Sequence, residues 1–217
     1  MQKVTLVGAG GKMGLRLTHN LKNSGYEMYY LEVSQQGIEK LKQKGVSVSG
    51  ADKCIPESDM VILAVPDVAL EKVSAEIIPK MKTGSLAITL DPAAALAGKL
   101  KARQDIGFFI THPCHPSIFN WEAEEEKMKD HFGGLAAKQS IVCALMSGPE
   151  TDYERGEMLA RTFYGPIYRS HRISVGQMGL LEPALVETLA STCVYVIRQG
   201  LEEVINKGVP ADAARDF

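Results

Sequence analysis

A glycine-rich turn near the start of the chain connects a short apolar run to a helical pattern. The apolar run covers residues 3–7, and glycines follow at positions 8, 10, 11 and 14. Leu17 and Leu21 then share one helix face, and a second apolar run, residues 28–31, ends at the acid Glu32. Strand, glycine turn, helix, strand and acid follow one another in this order in a dinucleotide-binding βαβ unit. The start of the chain therefore predicts a Rossmann-type, doubly wound α/β sheet.

The spacing of the glycines departs from the usual G-x-G-x-x-G pattern. Gly8 and Gly10 fit its first half, but Met13 stands where the third glycine belongs, and Gly14 comes one residue later. We therefore expect a turn with one extra residue, whose backbone approaches a pyrophosphate at a helix N-terminus. The predicted cofactor contacts in this turn are Gly8, Gly10, Gly11, Lys12, Met13 and Gly14. The alternative is a tight strand-to-helix turn without a ligand.

Glu32 indicates which dinucleotide binds. A carboxylate at the end of the second strand accepts hydrogen bonds from the ribose hydroxyls of NAD, whereas it repels the 2′-phosphate of NADP. Residues 33–36 contain no arginine that could hold such a phosphate. The sequence therefore favours NAD.

A continuous apolar run, residues 60–65, is typical of a strand buried on both faces of a parallel sheet. We expect it to follow the crossover of the sheet, so that Val65, Pro66 and Asp67 border the cofactor crevice. Further strands are predicted at residues 46–48, 85–90, 108–111, 140–146 and 167–169, alternating with helical segments.

From residue 174 the pattern changes to one long helical region that reaches Lys207, with Pro183 expected to kink or start it. We therefore predict a cofactor-binding domain over residues 1–172 and a helical substrate and dimerisation region over residues 173–217. A last short helix stops at Phe217 without a cap. This ending predicts that the natural chain continues beyond Phe217 or that the helix leans on a partner subunit.

His112 and His115 follow the strand that ends near residue 111, each before a proline. The carboxyl ends of strands are where such sheets bind ligands, so either histidine is a candidate general base or metal ligand. The alternative is a proline-rich loop in which both rings bind backbone groups. A second polar segment, residues 121–130, clusters acids ahead of lysines, and a solvated helix face is favoured there over a metal site.

Composition excludes several classes of protein. The formal net charge of −2 gives no reason to expect nucleic acid or an anionic membrane as a partner. No apolar run reaches membrane length, and no secretory signal pattern begins the chain. The cysteines at positions 54, 114, 143 and 193 lack metal-ligand spacing. Reduced thiols and a cytoplasmic location are therefore predicted.

Several motifs together resemble the phosphogluconate-dehydrogenase-like group, which includes 6-phosphogluconate and prephenate dehydrogenases and ketol-acid reductoisomerases. They are the glycine turn ending at residues 12–14, the strand end at residues 64–67, the two-histidine loop at residues 111–116, residues 132–150, and Gln177 with residues 181–185. The likeness runs from Val4 to Phe217. It implies an NAD-dependent oxidoreductase that acts on a small branched sugar acid and couples oxidation to isomerisation.

The resemblance also implies roles for single residues. His112 would be the catalytic base, with Glu182 as a second catalytic residue. A divalent cation (Zn²⁺, Mg²⁺ or Mn²⁺) would polarise the substrate oxygens, with His115 and Glu187 as ligands and Glu182 as the second choice of glutamate. The partner predicted for the helical region is a second copy of the chain. Two alternatives stay open, namely a simple dehydrogenase without isomerisation and a non-enzymatic NAD-sensing module.

Overall fold

The computed structural model describes residues 1–101, 103–117 and 123–217. Its strands are β1 (Lys3–Val7), β2 (Glu27–Leu31), β3 (Met60–Leu63), β4 (Leu86–Thr89), β5 (Gly107–Pro113), β6 (Gln139–Ser147) and β7 (Ile167–Arg172). They form one seven-stranded sheet in the order β2-β1-β3-β4-β5-β6-β7. From β2 to β5 in this order, each strand is parallel to the next, whereas β6 is antiparallel to β5 and parallel to β7. The predicted Rossmann-type α/β fold is confirmed.

Helices connect the strands and cover both faces of the sheet. They are α1 (Lys12–Leu21), α2 (Gln35–Gln43), α3 (Ala51–Glu57), α4 (Asp67–Ile77), α5 (Ala93–Leu96), α6 (Glu125–Lys129) and α7 (Glu150–Phe163). A 3₁₀ turn, Ile78–Lys80, follows α4. The C-terminal region contains α8 (Val175–Leu181), a π-helical segment (Glu182–Ala190), α9 (Ser191–Asn206) and α10 (Ala211–Asp216). The chain divides into two compact units, Met1–Val175 and Gly176–Phe217.

The first unit has an apolar core on each face of the sheet. On one face, α1 and α7 bury side chains such as Leu17 and Phe163. On the other face, α3 and α4 bury side chains such as Ile55 and Leu70. Every residue of β3 is buried, as its uninterrupted apolar run predicts.

The connection between β5 and β6 begins and ends at the same edge of the sheet, because these two strands are antiparallel. Pro113 at the end of β5 pairs with Ile141 near the start of β6. The Cys114 N–H continues the ladder by donating to the Ser140 carbonyl at 2.9 Å. The loop that begins with the two histidines therefore returns to the edge from which it left.

The prediction of a strand at residues 46–48 is wrong, because this segment is a loop. It passes β2, which lies at the edge of the sheet, and Ser49 donates one backbone hydrogen bond to the Tyr30 carbonyl at 2.8 Å. Val46 alone of the three residues is buried against the core. The alternation of apolar residues at 46–48 therefore reflects one buried side chain, that of Val46, and not a strand. Helix α3, which follows, was not predicted.

In the second unit, Pro183 lies in the first turn of the π-helical segment. Proline lacks an N–H and its ring crowds the preceding turn, so a wider turn at this position accommodates it without ending the helix. The helical stretch does not start at Pro183, because α8 precedes it, and the proline instead stands where the helix changes to the wider π-helical turn.

The continuous helical stretch Val175–Asn206 is long and apolar enough, by length and composition alone, to cross a membrane. The expectation concerns uninterrupted apolar runs, and Glu182 and Glu187 interrupt this stretch. Its average hydropathy is nevertheless high enough to meet the criterion. A helix buried between protein subunits satisfies the same criterion.

Candidate functional site

The candidate site lies at the carboxyl edge of the sheet in the first unit, where β1, β3, β4 and β5 end. The glycine turn follows β1, and residues 64–67 follow β3. Asp91 comes two residues after β4, and His112 lies at the end of β5. Polar groups from separate segments therefore meet where open α/β sheets bind their ligands.

Close backbone contacts in the glycine turn explain two of its glycines. Gly8 has a φ of +79°, and a Cβ on it would lie 2.5 Å from the Ala64 carbonyl oxygen. A Cβ on Gly14 would lie 2.0 Å from the Gly8 carbonyl oxygen. Gly14 thus packs α1 against the turn, which is the role of the third glycine in the usual motif. The turn and the end of β3, both predicted to border the cofactor, are in contact.

The first turn of α1 presents backbone donors at this edge. Gly11 is the N-cap residue and, having no side chain, makes no side-chain cap hydrogen bond. A helix N-terminus of this kind attracts a phosphate. Of the other predicted contacts here, Met13 packs against the core, and the Lys12 Nζ lies 5.1 Å from the centre of the Phe132 ring.

Glu32 links the turn after β2 to the glycine turn. Its Oε2 accepts a hydrogen bond from the Gly10 N–H, and its Oε1 accepts from the Val33 and Ser34 N–H groups, each at 2.9 Å. Burial tends to raise the pKa of this carboxyl, but the backbone donors, Ser34 first, lower it below its usual value. Glu32 is therefore an anion held in place beside the predicted cofactor site.

His112 is fixed by the chain that follows β4. Its Nδ1 lies 2.9 Å from the Leu90 carbonyl oxygen and 3.9 Å from Asp91 Oδ2. Because a carbonyl can only accept, Nδ1 carries the hydrogen, and the lone pair of the neutral ring is on Nε2. Burial is the main cause that lowers the pKa of His112, so the ring is neutral near pH 7.

Asp67, the first residue of α4, lies close enough to Asp91 and His112 to interact with them electrostatically. Burial raises the pKa of its carboxyl, and the neighbouring negative charge of Asp91 raises it further, while His112 opposes both. Of the residues predicted for this edge, Asp67 and His112 thus lie in one electrostatic cluster with Asp91, which was not predicted.

His115 is held by a second carbonyl in an unusual backbone conformation. Its φ of +59° falls in the left-handed region, which residues other than glycine seldom adopt. Its Nδ1 lies 2.8 Å from the Phe132 carbonyl oxygen, and its ring packs against that of Phe132 at 4.8 Å between centres. The hypothesis that both histidines bind backbone groups is therefore correct for one nitrogen of each ring. The other nitrogen, Nε2, carries the lone pair when the ring is neutral.

Arg16 and Asp130 hold the segment that presents Phe132. Asp130 is buried and accepts hydrogen bonds from the N–H groups of Gly133, Leu135, Ala136 and Ala137. Arg16, from α1, donates to the Gly133 carbonyl at 2.6 Å and lies 3.5 Å from Asp130. Its guanidinium stacks over Phe132 at 4.3 Å. Arg16 therefore connects α1, the helix that follows the glycine turn, to the segment whose Phe132 carbonyl holds His115.

Arg16 and Asp130 were not predicted, because the sequence separates them from each other and from His115. The glycines at 133 and 134, both with positive φ, were the available sign that residues 130–137 form a tight, hydrogen-bonded loop. In the acidic segment, Trp121 and Glu122 lie outside the described residues. Lys127 pairs with Glu124 and Lys129 with Glu125 on the exposed face of α6, as a solvated helix predicts.

The two predicted glutamates lie in the second unit. Glu182 is the first residue of the π-helical segment, and Glu187 is exposed in the middle of it. The roles assigned to them as a catalytic residue and a metal ligand stay predictions.

Two family models match the chain. Residues 3–102 match the NAD binding domain of 6-phosphogluconate dehydrogenase, and residues 120–217 match the C-terminal domain of phosphogluconate dehydrogenase (decarboxylating). Residues 103–119, which include β5, lie between the two matched ranges.

Similar proteins of known name cover the whole chain. D-apionate oxidoisomerase of Rhizobium rhizogenes is 49% identical over 100% of the chain and 79% of the relative. The enzyme of the same name from Cupriavidus necator is 48% identical with the same coverage.

Solved structures agree with this similarity. A semialdehyde dehydrogenase NAD-binding protein from Cupriavidus necator, in complex with calcium and NAD, is 47% identical. It has a TM-score of 0.96 over 100% of this chain and 79% of its own. An NADH-preferring ketol-acid reductoisomerase from an uncultured archaeon is 19% identical, with a TM-score of 0.74 over 98% of this chain and 64% of its own, and shares the fold.

Proposed function

The chain belongs to the family of the D-apionate oxidoisomerases, and from this premise we propose that it oxidises a branched sugar acid with NAD and rearranges its carbon skeleton. The proposed substrate is D-apionate and the proposed product is 3-oxo-isoapionate. The observation that carries the proposal is the identity of nearly one half over the whole chain, joined to an oriented, neutral histidine at the carboxyl edge of the sheet.

NAD is proposed to bind across the end of β1, with its pyrophosphate at the N-terminus of α1. The uncapped first turn at Gly11 and the close backbone approach at Gly8 and Gly14 support this position. Glu32, an anion beside the turn, is proposed to accept hydrogen bonds from the adenosine ribose and to disfavour NADP. Val65, Pro66 and Asp67 are proposed to complete the crevice. NAD, when bound, accepts the hydride.

His112 is the proposed general base. The Leu90 carbonyl keeps hydrogen on Nδ1, so that Nε2 can take the proton of the substrate hydroxyl as its carbon loses the hydride. The lowered pKa supports this role, because a base must be neutral at the working pH. Glu182 is proposed as the second acid–base group.

His115 is proposed to bind a divalent cation together with Glu187, with Glu182 as the alternative carboxylate. The hydrogen bond from Nδ1 of His115 to the Phe132 carbonyl supports this role, because metal-binding histidines are oriented in this way. Imidazole and carboxylate donors suit Zn²⁺ and Mn²⁺, and carboxylates suit Mg²⁺. A cation there would polarise the oxygens of the rearranging substrate.

A cytoplasmic homodimer is proposed, with the second unit as the dimer interface. The apolar side chains of the π-helical segment and α9 are exposed in the single chain, among them Leu189, Val196 and Ile197. An apolar helix of this kind is normally buried against a partner. The free thiols at all four cysteine positions support a reducing compartment.

The test is turnover of D-apionate by the purified protein with NAD and Mg²⁺ or Mn²⁺. We expect NADH to appear in equal amount to a product whose carbon skeleton, determined by ¹³C NMR, differs from that of the substrate. His112→Ala should lower kcat by about 10²–10⁴-fold while leaving the Kd of NAD unchanged. His171→Ala, which removes an exposed histidine on β7, is the matched control and should retain activity.

Each alternative activity gives a different result in the same assay. NADH formed with an unchanged carbon skeleton would identify a simple dehydrogenase. NAD binding with no NADH from any sugar acid would identify a sensing module.

A further inference from the structure

Gly37, the third residue of α2, is buried at a position where the helix itself does not require a glycine. It lies inside a helix, where alanine is more stable, and its φ is not in the left-handed region. Its N–H donates to the Ser34 side chain, the N-cap of α2, at 3.1 Å. Any residue except proline could donate that backbone hydrogen bond, so the reason for glycine lies in what surrounds it.

A side chain at position 37 would meet the carboxylate of Glu32. A Cβ built on Gly37 would lie 2.6 Å from Glu32 Cδ and 2.8 Å from Glu32 Oε2. These distances are shorter than van der Waals contact, so a methyl group at position 37 and the present position of the carboxylate exclude each other.

The same helix turn also lies directly against the glycine turn. A Cβ on Gly10 would lie 2.4 Å from the Cα of Gly37. Backbone therefore packs on backbone, and the Glu32 carboxylate, bound to the Gly10 N–H, is enclosed beside this contact.

We infer that Gly37 is a positioning residue that keeps the Glu32 carboxylate on the glycine turn and thereby sets the preference for NAD over NADP. This inference rests on the proposed function, in which Glu32 faces the adenosine ribose. A fixed carboxylate both receives the ribose hydroxyls and repels a 2′-phosphate. A displaced carboxylate loses its hydrogen bonds to the ribose hydroxyls and repels a 2′-phosphate less strongly.

The substitution Gly37→Ala tests this, because the atoms that must move are the end of a flexible side chain. The variant should therefore fold, with the carboxylate displaced. We expect the Kd of NAD, measured by titration calorimetry, to rise by about tenfold or more. The Kd of NADP should stay the same or fall. A purely structural defect would instead weaken both cofactors equally. Gly25→Ala, where an added Cβ meets nothing within 4 Å, is the control and should retain both affinities.

A second variant shows whether the effect acts through Glu32. In an E32A background, Gly37→Ala should change neither Kd, because the side chain that it displaces is gone. If Gly37→Ala fails to fold, adding Glu32→Ala should restore folding, as measured by circular dichroism. A folding defect that persists without Glu32 would overturn the inference.

The outcomes also separate this inference from the proposed function. Wild-type protein that binds neither cofactor would remove the proposed function itself. Wild-type protein that prefers NAD, with Gly37→Ala showing the same preference, would leave the function standing and refute the role of Gly37.

Discussion

A backbone carbonyl orients each of the two loop histidines, Leu90 for His112 and Phe132 for His115. A carbonyl can only accept a hydrogen bond, so Nδ1 carries the hydrogen in each ring and the lone pair of the neutral ring lies on Nε2. The two carbonyls differ in what supports them. Leu90 continues directly from a sheet strand, whereas Phe132 belongs to a loop that Asp130 holds together.

The pH dependence of turnover follows from the lowered pKa of His112. The base acts only when neutral, and burial shifts its protonation to lower pH, so activity is retained until pH falls through a pKa below about 6.5. We expect the acidic limb of the kcat/KM profile to have its midpoint below that value. A limb centred above it would contradict the assignment, as would an unchanged limb in the residual activity of His112→Ala.

Asp130→Ala should destabilise the first unit strongly. The substitution leaves four backbone donors without their acceptor and removes the negative charge beside Arg16, which keeps the Gly133 carbonyl as an acceptor. A hydrogen bond to a charged group contributes about 1.5–3 kcal/mol, so we expect a loss of several kcal/mol. Urea unfolding measures the loss in the free energy of unfolding. The control is Asp52→Ala, which removes an exposed carboxylate paired with Lys80 and should change the urea midpoint little.

Acid should remove the stabilisation that the Asp130 carboxylate gives to the folded state. Backbone hydrogen bonds hold the pKa of Asp130 below its usual value despite burial. The stabilisation is therefore complete above the unfolded pKa, about 3.9, and is lost as pH falls through the lower folded value.

Residues with a local signal could be predicted at this scale, and residues whose role depends on distant partners could not. The glycines, Glu32 and the two histidines stand in recognisable positions along the chain. Arg16 meets Asp130 across more than a hundred residues, and Gly37 resembles an ordinary helix residue until Glu32 is seen beside it. Such contacts are decided by packing, which a single sequence does not display.

At the scale of elements, apolar runs predicted the seven strands described, including short ones such as β7, and residues 46–48 are the exception. The runs that became β3, β4 and β6 are flanked by neighbouring strands on both sides. Residues 46–48 pass the edge strand β2, but the segment is joined to it by the hydrogen bond from Ser49 to Tyr30 and not by a ladder of such bonds. The antiparallel direction of β6 was also not predictable, because the residue pattern of a buried strand is the same in either direction.

Gly156→Ala tests how closely α7 packs on the sheet. The new methyl group would lie 2.6 Å from the ring of Phe109, which is fully buried and cannot move aside. Although alanine favours the helix by about 1 kcal/mol, overpacking costs typically about 1–3 kcal/mol, so we expect a net loss of stability.

The melting temperature measured by calorimetry should fall for Gly156→Ala. Met158→Ala, on the exposed side of the same helix, should change the free energy of unfolding by less than about 0.5 kcal/mol. An equal response of the two variants would contradict the close packing.

At the scale of the whole molecule, the two units bury their apolar residues very differently. The first unit has two closed cores, whereas the helices of the second leave most of theirs exposed in the single chain. The composition of the whole chain is that of an ordinary globular protein and conceals this contrast.

The proposed dimer predicts the effect of a charge on α9. Sedimentation equilibrium should give twice the mass of one chain, and Ile197→Glu should shift the population to monomer, because a carboxylate would be buried without a partner. Met158→Glu, on the exposed face of α7, should remain dimeric. A wild-type monomer that stays in solution would contradict the proposal, and extraction only by detergent would point to a membrane.

The antiparallel pairing of β5 and β6 has a consequence for how much change in loop length the sheet can accommodate. Since the loop between them leaves and re-enters at one edge, its two ends stay neighbours whatever its length. Doubling a loop of this kind costs only about 0.6 kcal/mol in closure entropy. A longer or shorter loop can therefore be accommodated here without displacing the strands of the cofactor half of the sheet.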